Sequence, residues 1–390
     1  MDTQVRVALI GYGFVGEIFH APLIESVDGL LLTHIASRQL DKIRSQRPHT
    51  NVISDYHAAV THPEVDLVVL ATPNDTHTTL AEAALRAGKH VVVDKPFTLT
   101  LHEARQLADI AQAENRFLSV FQNRRWDSDF LGAQELINSN RLGEIAVYES
   151  RIERFRPEVR QRWRESDGPG SGLWYDLGPH LADQALCLFG VPHRVTAQLV
   201  KQRQGALADD WFHVVLDYGR TQAILQAGML SAGGSPRFMI QGTQASWLKR
   251  GADRQEDALR QGILPGGEHW GLDEDAGQLF HADGTQELVA VPTGDHRRYY
   301  QSVISTLRGE AENPVTPAQA CSLMAVIEAV QRSAKEGISV VPDFSEAERN
   351  AWRRSASPRL QGLGNTRRDR FQCRLNLAGH STLDEFKTEP

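Results

Sequence analysis

A lysine, a histidine and a carboxylate stand in this chain at spacings that proton and hydride chemistry could use. Lys95 lies in Asp94-Lys95-Pro96, straight after the apolar run Val91-Val92-Val93. Such a run between turn signals reads as a buried parallel strand. In an open α/β sheet, ligands bind at the carboxyl ends of the strands. A lysine delivered there is partly desolvated, which favours its neutral form and lets it exchange protons. Pro96 fixes its own φ and biases Lys95 towards extended backbone, so the mount is stiff. Taken alone, a strand-ending lysine is more often a solvated edge residue, and the other motifs are what favour the site reading. The other two groups lie in Gly172-Leu173-Trp174-Tyr175-Asp176-Leu177-Gly178-Pro179-His180. Residues four apart share a helix face, and a histidine beside a carboxylate can move a proton near neutral pH. Proline is tolerated in a first turn, so a helix is expected to start near Gly178, with Asp176 just before it. An N-capping Asp176 with a core His180 fits the same residues, and both readings stand. Asp183 reads as support for its neighbours.

The elements that must position these groups begin at the N-terminus. Residues 5–11 read as a buried strand leading into Gly11-Tyr12-Gly13-Phe14-Val15-Gly16 and a helical stretch over 17–26. This is a GxGxxG turn in the setting that dinucleotide binding requires, strand before and helix after. Gly11 permits the tight turn, Gly13 lets backbone approach a pyrophosphate, and Gly16 lets helix pack on strand. The helix N-terminus offers free N–H groups and a favourable dipole to the phosphates, beside Phe14 and Val15. Cofactor choice is read after the second strand, 30–36, where an NAD site carries Asp or Glu for the ribose 2′-hydroxyl. Here stand Ser37 and Arg38. A hydroxyl and a guanidinium suit a 2′-phosphate, so NADP(H) is expected over NAD(H). The strand over 66–72 ends in Thr72-Pro73-Asn74-Asp75-Thr76-His77. This loop can line the cofactor and cap the following helix at once. Asp94 and Lys95 complete the expected cofactor edge. A helix over 101–114 and a strand over 117–122 close a doubly wound parallel domain, 1–122.

From Gly143 the alternation gives way to strand-like runs at 144–155, 193–202, 211–218, 221–230 and 237–241, with a helical insert over 174–189. Asp217-Tyr218-Gly219 reads as a hairpin turn. Runs in series imply an open, mostly antiparallel sheet in an α+β domain, 123–345. Its second face needs cover, so sheet-to-sheet pairing of two subunits is expected. The chain's 390 residues suit two domains. Hydrophobic content of 41% and charged content of 23% are those of a water-soluble globule. A net charge of −7 argues against a nucleic-acid partner. No apolar run of membrane-spanning length occurs. Met1-Asp2-Thr3-Gln4 passes directly into a strand without a leader-like segment. Cys187, Cys321 and Cys373 form no CxxC pair, which fits a reducing cytoplasm and suggests no metal site. Residues 346–390 read as a polar tail. Its basic clusters, Arg353-Arg354 and Arg367-Arg368-Asp369-Arg370, fit a solvated extension better than a nucleic-acid patch.

Gly11 to Gly16, Asp94-Lys95-Pro96 after the fourth strand read above, and Asp176-Leu177-Gly178-Pro179-His180 in an insert of a sheet domain together resemble the Gfo/Idh/MocA oxidoreductases, over about residues 4–345. Gly16-Glu17-Ile18-Phe19-His20-Ala21-Pro22 and Phe121-Gln122-Asn123-Arg124-Arg125-Trp126-Asp127, with Ser37-Arg38, resemble the NADP-dependent scyllo-inositol dehydrogenase branch. The resemblance implies a Rossmann domain joined to a mostly antiparallel domain, in dimers or tetramers. It implies metal-free hydride transfer with sugar or cyclitol hydroxyls, and it places Lys95, Asp176 and His180 at the catalytic positions. His180 would take the hydroxyl proton, Asp176 would orient it, and Lys95 would bond the oxygen. Asp94 stands where many members carry Glu. Asn123, Arg124, Trp163 and Tyr175 become candidates for the polyol pocket, although packing or ion-pair roles fit Arg124, Arg125 and Trp163 equally well. An aldose or deoxy-ketose reductase, and a non-catalytic dinucleotide sensor, are the alternatives.

Overall fold

A computed structural model describes residues 4–352. The first domain alternates as β1 (Val5–Ile10), α1 (Ala21–Glu25), β2 (Leu30–Ala36), α2 (Leu40–Gln46), β3 (Asn51–Ile53), α3 (Tyr56–Val60), β4 (Leu67–Leu70), α4 (His77–Arg86), β5 (His90–Val93), α5 (Leu101–Ala113) and β6 (Leu118–Val120). All six strands are parallel, in the order β3-β2-β1-β4-β5-β6. The order reverses beside β1, which opens a crevice over its carboxyl end. Helices cover both faces, so β4 is apolar at every position and wholly buried. Each such Val or Leu contributes about 1.5–3 kcal/mol by leaving water. Short β3 was not anticipated, so Asp94-Lys95-Pro96 follows the fifth strand. The expected helix over 17–26 is a π-helical turn, Gly16–His20, running into α1.

The second domain contains α6 (Ser128–Asn138), β7 (Ile145–Glu153), α7 (Leu173–Phe189), β8 (Arg194–Val200), β9 (Trp211–Asp217), β10 (Gln222–Gly228), β11 (Phe238–Gly242), β12 (Ala245–Lys249), α8 (Gln255–Arg260), β13 (Gly277–His281) and β14 (Gln286–Val289). The strands lie in the order β14-β13-β12-β11-β7-β10-β9-β8. Neighbours are antiparallel except β7 and β10, which run parallel, so the sheet is mixed. Strands β12 to β14 extend it beyond the five runs expected. Strands β9 and β10 alternate strictly, burying Phe212, Val214, Leu216, Ala223 and Leu225 on the face that α7 covers.

The chain then returns to the first domain through α9 (Arg297–Leu307), α10 (Pro317–Glu336) and α11 (Glu346–Asn350). The packed chain passes the expected boundary at 345, because Trp352 is buried and stacks under the Arg125 guanidinium. The rest of the expected tail lies outside the described residues. No helix among the described residues is long and apolar enough to cross a membrane.

Candidate active site

Two adjoining clefts meet at the carboxyl end of β5. The first, of about 480 Å³, is lined by Gly11, Gly13, Phe14, Val15, Ser37, Arg38, Thr72, Pro73 and Asp94. Gly11 has φ +96°, and a Cβ there would stand 2.5 Å from the Ala71 carbonyl oxygen. A Cβ on Gly16 would collide with the Gly11 carbonyl, whereas one on Gly13 would meet only open space. Two glycines are therefore fixed by packing, and the third leaves a backbone cradle open to a ligand. Ser37 is buried and accepts a hydrogen bond from the Gln39 amide, while Arg38 is exposed beside it. This cradle and donor set fit a nicotinamide dinucleotide, with no carboxylate at the ribose end.

The same edge corrects two expected contacts. Asn74 is buried and donates to the Gly170 carbonyl at 3.1 Å, bracing the approach to α7. His77 is wholly buried, its ring bridging the Thr72 and Pro96 carbonyls at 3.0 Å each. Neither lines the cleft; His77 ties the β4 and β5 loops together, and Asn74 ties the β4 loop to the segment before α7.

The second cleft, of about 230 Å³, contains Lys95, Asp176 and His180. Helix α7 starts at Leu173, a turn and a half before the expected Gly178. The cause is an external cap: the Asp209 carboxylate accepts from the Trp174 amide at 2.7 Å, and its carbonyl from Leu173 at 2.8 Å. Pro179 thus sits inside the helix and removes one bond to residue 175. His180 lies in the third turn, not the first.

The Lys95–Pro96 peptide bond is cis. Lys95 Nζ donates to the Asp176 carbonyl at 2.7 Å and lies 3.3 Å from its carboxylate. Arg164 Nε is 3.4 Å from the same carboxylate. Burial works to raise the Asp176 pKa, but Lys95, Arg164 and Arg154 outweigh it and hold the group at about 2. Burial lowers Lys95, and Asp176 offsets this only in part. Burial, then Lys95 and Arg124, drive the His180 pKa well below the usual imidazole value, so the ring is neutral at pH 7. Its Nδ1 is buried without a hydrogen-bond partner among the described residues. The expected Asp176–His180 pairing is thus replaced by Asp176–Lys95. Asp94 is buried with His20 Nε2 3.8 Å away. Burial pushes its carboxyl up, yet His20 and Lys95 keep it below the ordinary range.

Of the expected polyol residues, Asn123 and Arg124 line this cleft. Asn123 Nδ2 is 3.4 Å from His296 Nδ1. Arg124 is paired with Asp127 at 3.1 Å and Glu256 at 2.7 Å. Tyr175 does not reach it, because its hydroxyl donates to the Leu99 carbonyl at 2.8 Å. Trp163 instead flanks the dinucleotide cleft, with Arg164 over its ring. Arg125 forms a buried fork with Asp183 at 2.7 and 2.8 Å, so both support rather than react. What the sequence reading missed is the rest of the wall. Arg154, Arg156, Arg160, Arg162 and Arg164 from the β7–α7 loop, with Arg260, also line the cleft. The signal was present as six arginines between residues 151 and 164.

Hydride transfer on such a scaffold needs a cradle for a dinucleotide, a cationic donor and a neutral imidazole, and all three open onto connected space. Known proteins share the arrangement. Residues 5–122 match the oxidoreductase-family NAD-binding Rossmann fold, and 134–341 match the C-terminal alpha/beta domain of the same family. The chain is 47% identical over 339 residues to the uncharacterized oxidoreductase YdgJ of Escherichia coli, covering 86% of this chain and 98% of that one. It is 38% identical over 341 residues to the scyllo-inositol 2-dehydrogenase (NADP(+)) IolW of Bacillus subtilis, covering 86% and 95%. The crystal structure of an oxidoreductase from Klebsiella pneumoniae superposes with a TM-score of 0.86 at 49% identity, covering 90% of this chain and 99% of that one. Both domain matches and these likenesses agree with the motifs on β1, β5 and α7: the chain belongs to the Gfo/Idh/MocA family of NAD(P)-dependent oxidoreductases.

Proposed function

We propose that this protein is an NADP(H)-dependent dehydrogenase or reductase acting between a secondary alcohol and a ketone on a cyclitol or sugar, with scyllo-inositol the first compound to test. One observation carries the reading: Lys95 and a neutral His180 line one small cleft that adjoins the glycine-turn cradle. A nicotinamide held in that cradle supplies the hydride acceptor or donor. Ser37 and Arg38 favour a 2′-phosphate at its far end. Lys95 donates to the reacting oxygen and stabilises alkoxide charge. His180 accepts the hydroxyl proton in oxidation and returns it in reduction. Asp176, ionised, holds Lys95 in place rather than orienting His180. The name of the Bacillus relative supports the cyclitol and the NADP preference. The partly exposed face of the large sheet, with Trp211, Val215 and Ile224 outward, supports pairing of two copies there.

The test is absorbance in the NADPH band with purified protein, either cofactor, and a panel of inositol isomers, aldoses and the matching ketones. Turnover preferring NADP⁺ is expected. Turnover with NAD⁺ alone would overturn the cofactor reading. Cofactor binding without turnover on any member would favour a sensor.

A further inference from the structure

The substrate cleft is far more cationic than a neutral polyol requires. Seven arginines and Lys95 face three carboxylates, Asp94, Asp176 and Glu256. Those carboxylates are engaged: Asp176 with Lys95 and Arg164, Glu256 with Arg124 and Arg260, Asp94 beside His20. Arg162 is paired with Glu165 at 2.7 Å. Arg154, Arg156 and Arg160 donate no side-chain hydrogen bond and form no ion pair among the described residues, yet Arg154 and Arg156 are half-buried. Unpaired guanidiniums withdrawn from water are costly unless something completes them.

The loop that carries them is built rather than loose. The Arg154 and Arg156 amides donate to the carbonyls of Gly228 and Met229, continuing the sheet beyond β7. Alternation along that extension turns Phe155 outward, 57% exposed, and both arginines into the cleft. Arg203, buried, fastens the loop from behind. Its guanidinium donates to the Arg156 and Glu158 carbonyls at 3.2 and 2.9 Å, and to Glu165 at 3.0 Å. Burial first, then the neighbouring arginines, depress the pKa of Arg156; at Arg154 burial leads again, and the nearby carboxylates of Asp176 and Glu256 offset it only in part. The dinucleotide's own phosphates do not account for the cluster. They belong at the glycine turn and at Ser37-Arg38, in the other cleft, whose lining includes neither Arg154, Arg156 nor Arg160.

We propose that the polyhydroxy substrate carries an oxyanion, a phosphate ester or a carboxylate, which Arg154, Arg156 and Arg160 bind while Lys95 and His180 act on a hydroxyl elsewhere on the same molecule. Planar guanidiniums recognise both groups through paired N–H bonds. The proposal rests on the hydride-transfer reading for its chemistry, but the anion site can be tested without it.

The experiment compares matched triplets, each a neutral cyclitol or sugar, its phosphate monoester and its carboxylate analogue. Steady-state kinetics with NADP⁺ or NADPH are run on wild type, Arg156→Gln and Arg154→Gln/Arg156→Gln. Calorimetric binding of each triplet member to the NADPH complex runs in parallel. The anionic members should exceed their neutral parent in kcat/KM by about 100-fold. The gain should lie mostly in KM, and the double variant should erase the difference without changing NADPH affinity. A phosphate advantage over the carboxylate, or the reverse, identifies the source of the anion. Equal kcat/KM for charged and neutral members in wild type overturns the proposal and leaves the dehydrogenase reading standing. Arginine-dependent binding of the anionic members with no turnover of any compound upholds the anion site and overturns the dehydrogenase reading. Binding of the anionic members no tighter than the neutral parent also overturns the proposal, whatever the turnover. Thermal melting and NADPH affinity check that the variants are folded.

Discussion

Replacing Lys95 with methionine keeps much of the side chain's length and deletes its charge. In the folded chain the ammonium is held by the Asp176 carbonyl at 2.7 Å and faces its carboxylate at 3.3 Å. Removing one donor aimed at a developing oxyanion lowers kcat by about 10²–10³, or about 3–4 kcal/mol of barrier. The effect on stability is worked separately. Asp176 is held at about 2 against an ordinary 3.8, which corresponds to about 2 kcal/mol of stabilisation. Because the folded value is depressed, this contribution is present above pH 4 and is lost as pH falls towards 2. Lys95 acts oppositely: burial depresses its pKa, so holding the ammonium in the fold costs free energy at neutral pH. Deleting it weakens the first contribution and removes the second cost, and Arg164 still faces Asp176 at 3.4 Å. Lys95→Met should therefore shift the melting midpoint by less than about 2 °C, the equivalent of about 1 kcal/mol in a chain of this size. Steady-state kcat, NADPH titration by fluorescence and thermal melting read the three quantities on one preparation. A kcat within about threefold of wild type, with NADPH affinity intact, would refute the role of Lys95.

Two other perturbations separate chemistry from support. His180 is neutral well below pH 6.5 because burial and Lys95 disfavour its charge, so oxidation should stay level as pH falls through 6.5 while reduction, which needs the protonated ring, rises. His180→Ala should lower turnover about 10²–10⁴-fold and abolish that contrast in the pH profiles; a wild-type profile in the variant would contradict the assignment. The same depressed pKa predicts stability lost as pH drops below 6.5, since the unfolded imidazole binds the proton first. Asp183→Asn breaks a fork whose carboxylate is 3% exposed and leaves Arg125 buried, so urea unfolding should report a loss of about 3–5 kcal/mol. A loss under about 1 kcal/mol would show that the Pro314 carbonyl and Gln319 Oε1, which accept from Arg125 Nη1 at 2.8 and 3.2 Å, suffice to hold Arg125.

The legible parts of this molecule were those written in contiguous residues. The glycine turn announces itself because Gly11 and Gly16 have steric reasons that hold wherever a strand turns tightly into a helix, and Val91 to Val93, β-branched and bounded by turn signals, reads as a buried strand. The start of α7 was hidden because its cap, Asp209, lies 35 residues from Trp174. Tyr175 was misread because its place beside Asp176 says nothing of its direction, which the Leu99 carbonyl sets. The arginine run was passed over because charge at that density ordinarily means a solvated face. Only the sheet alternation at Phe155 and the buried Arg203 behind the loop turn it inward.

The edge strand β6 has a consequence for how the chain is made. Its free backbone edge is met from far downstream: Asn313 donates to the Leu118 carbonyl at 2.8 Å, and Tyr299 bonds the buried Ser119 side-chain hydroxyl at 3.0 Å, across 195 and 180 residues. Glu328 takes the Leu101 amide from 227 residues away. At about 5–20 residues per second, a ribosome needs on the order of 10–40 s to deliver these closures after β6 has emerged. Throughout that interval the nascent sheet offers an open row of N–H and C=O groups to any neighbouring chain. Neighbouring nascent copies on one polysome are therefore at greatest risk of strand-to-strand pairing between synthesis of β6 and synthesis of α10, and slowing translation there would lengthen the exposure.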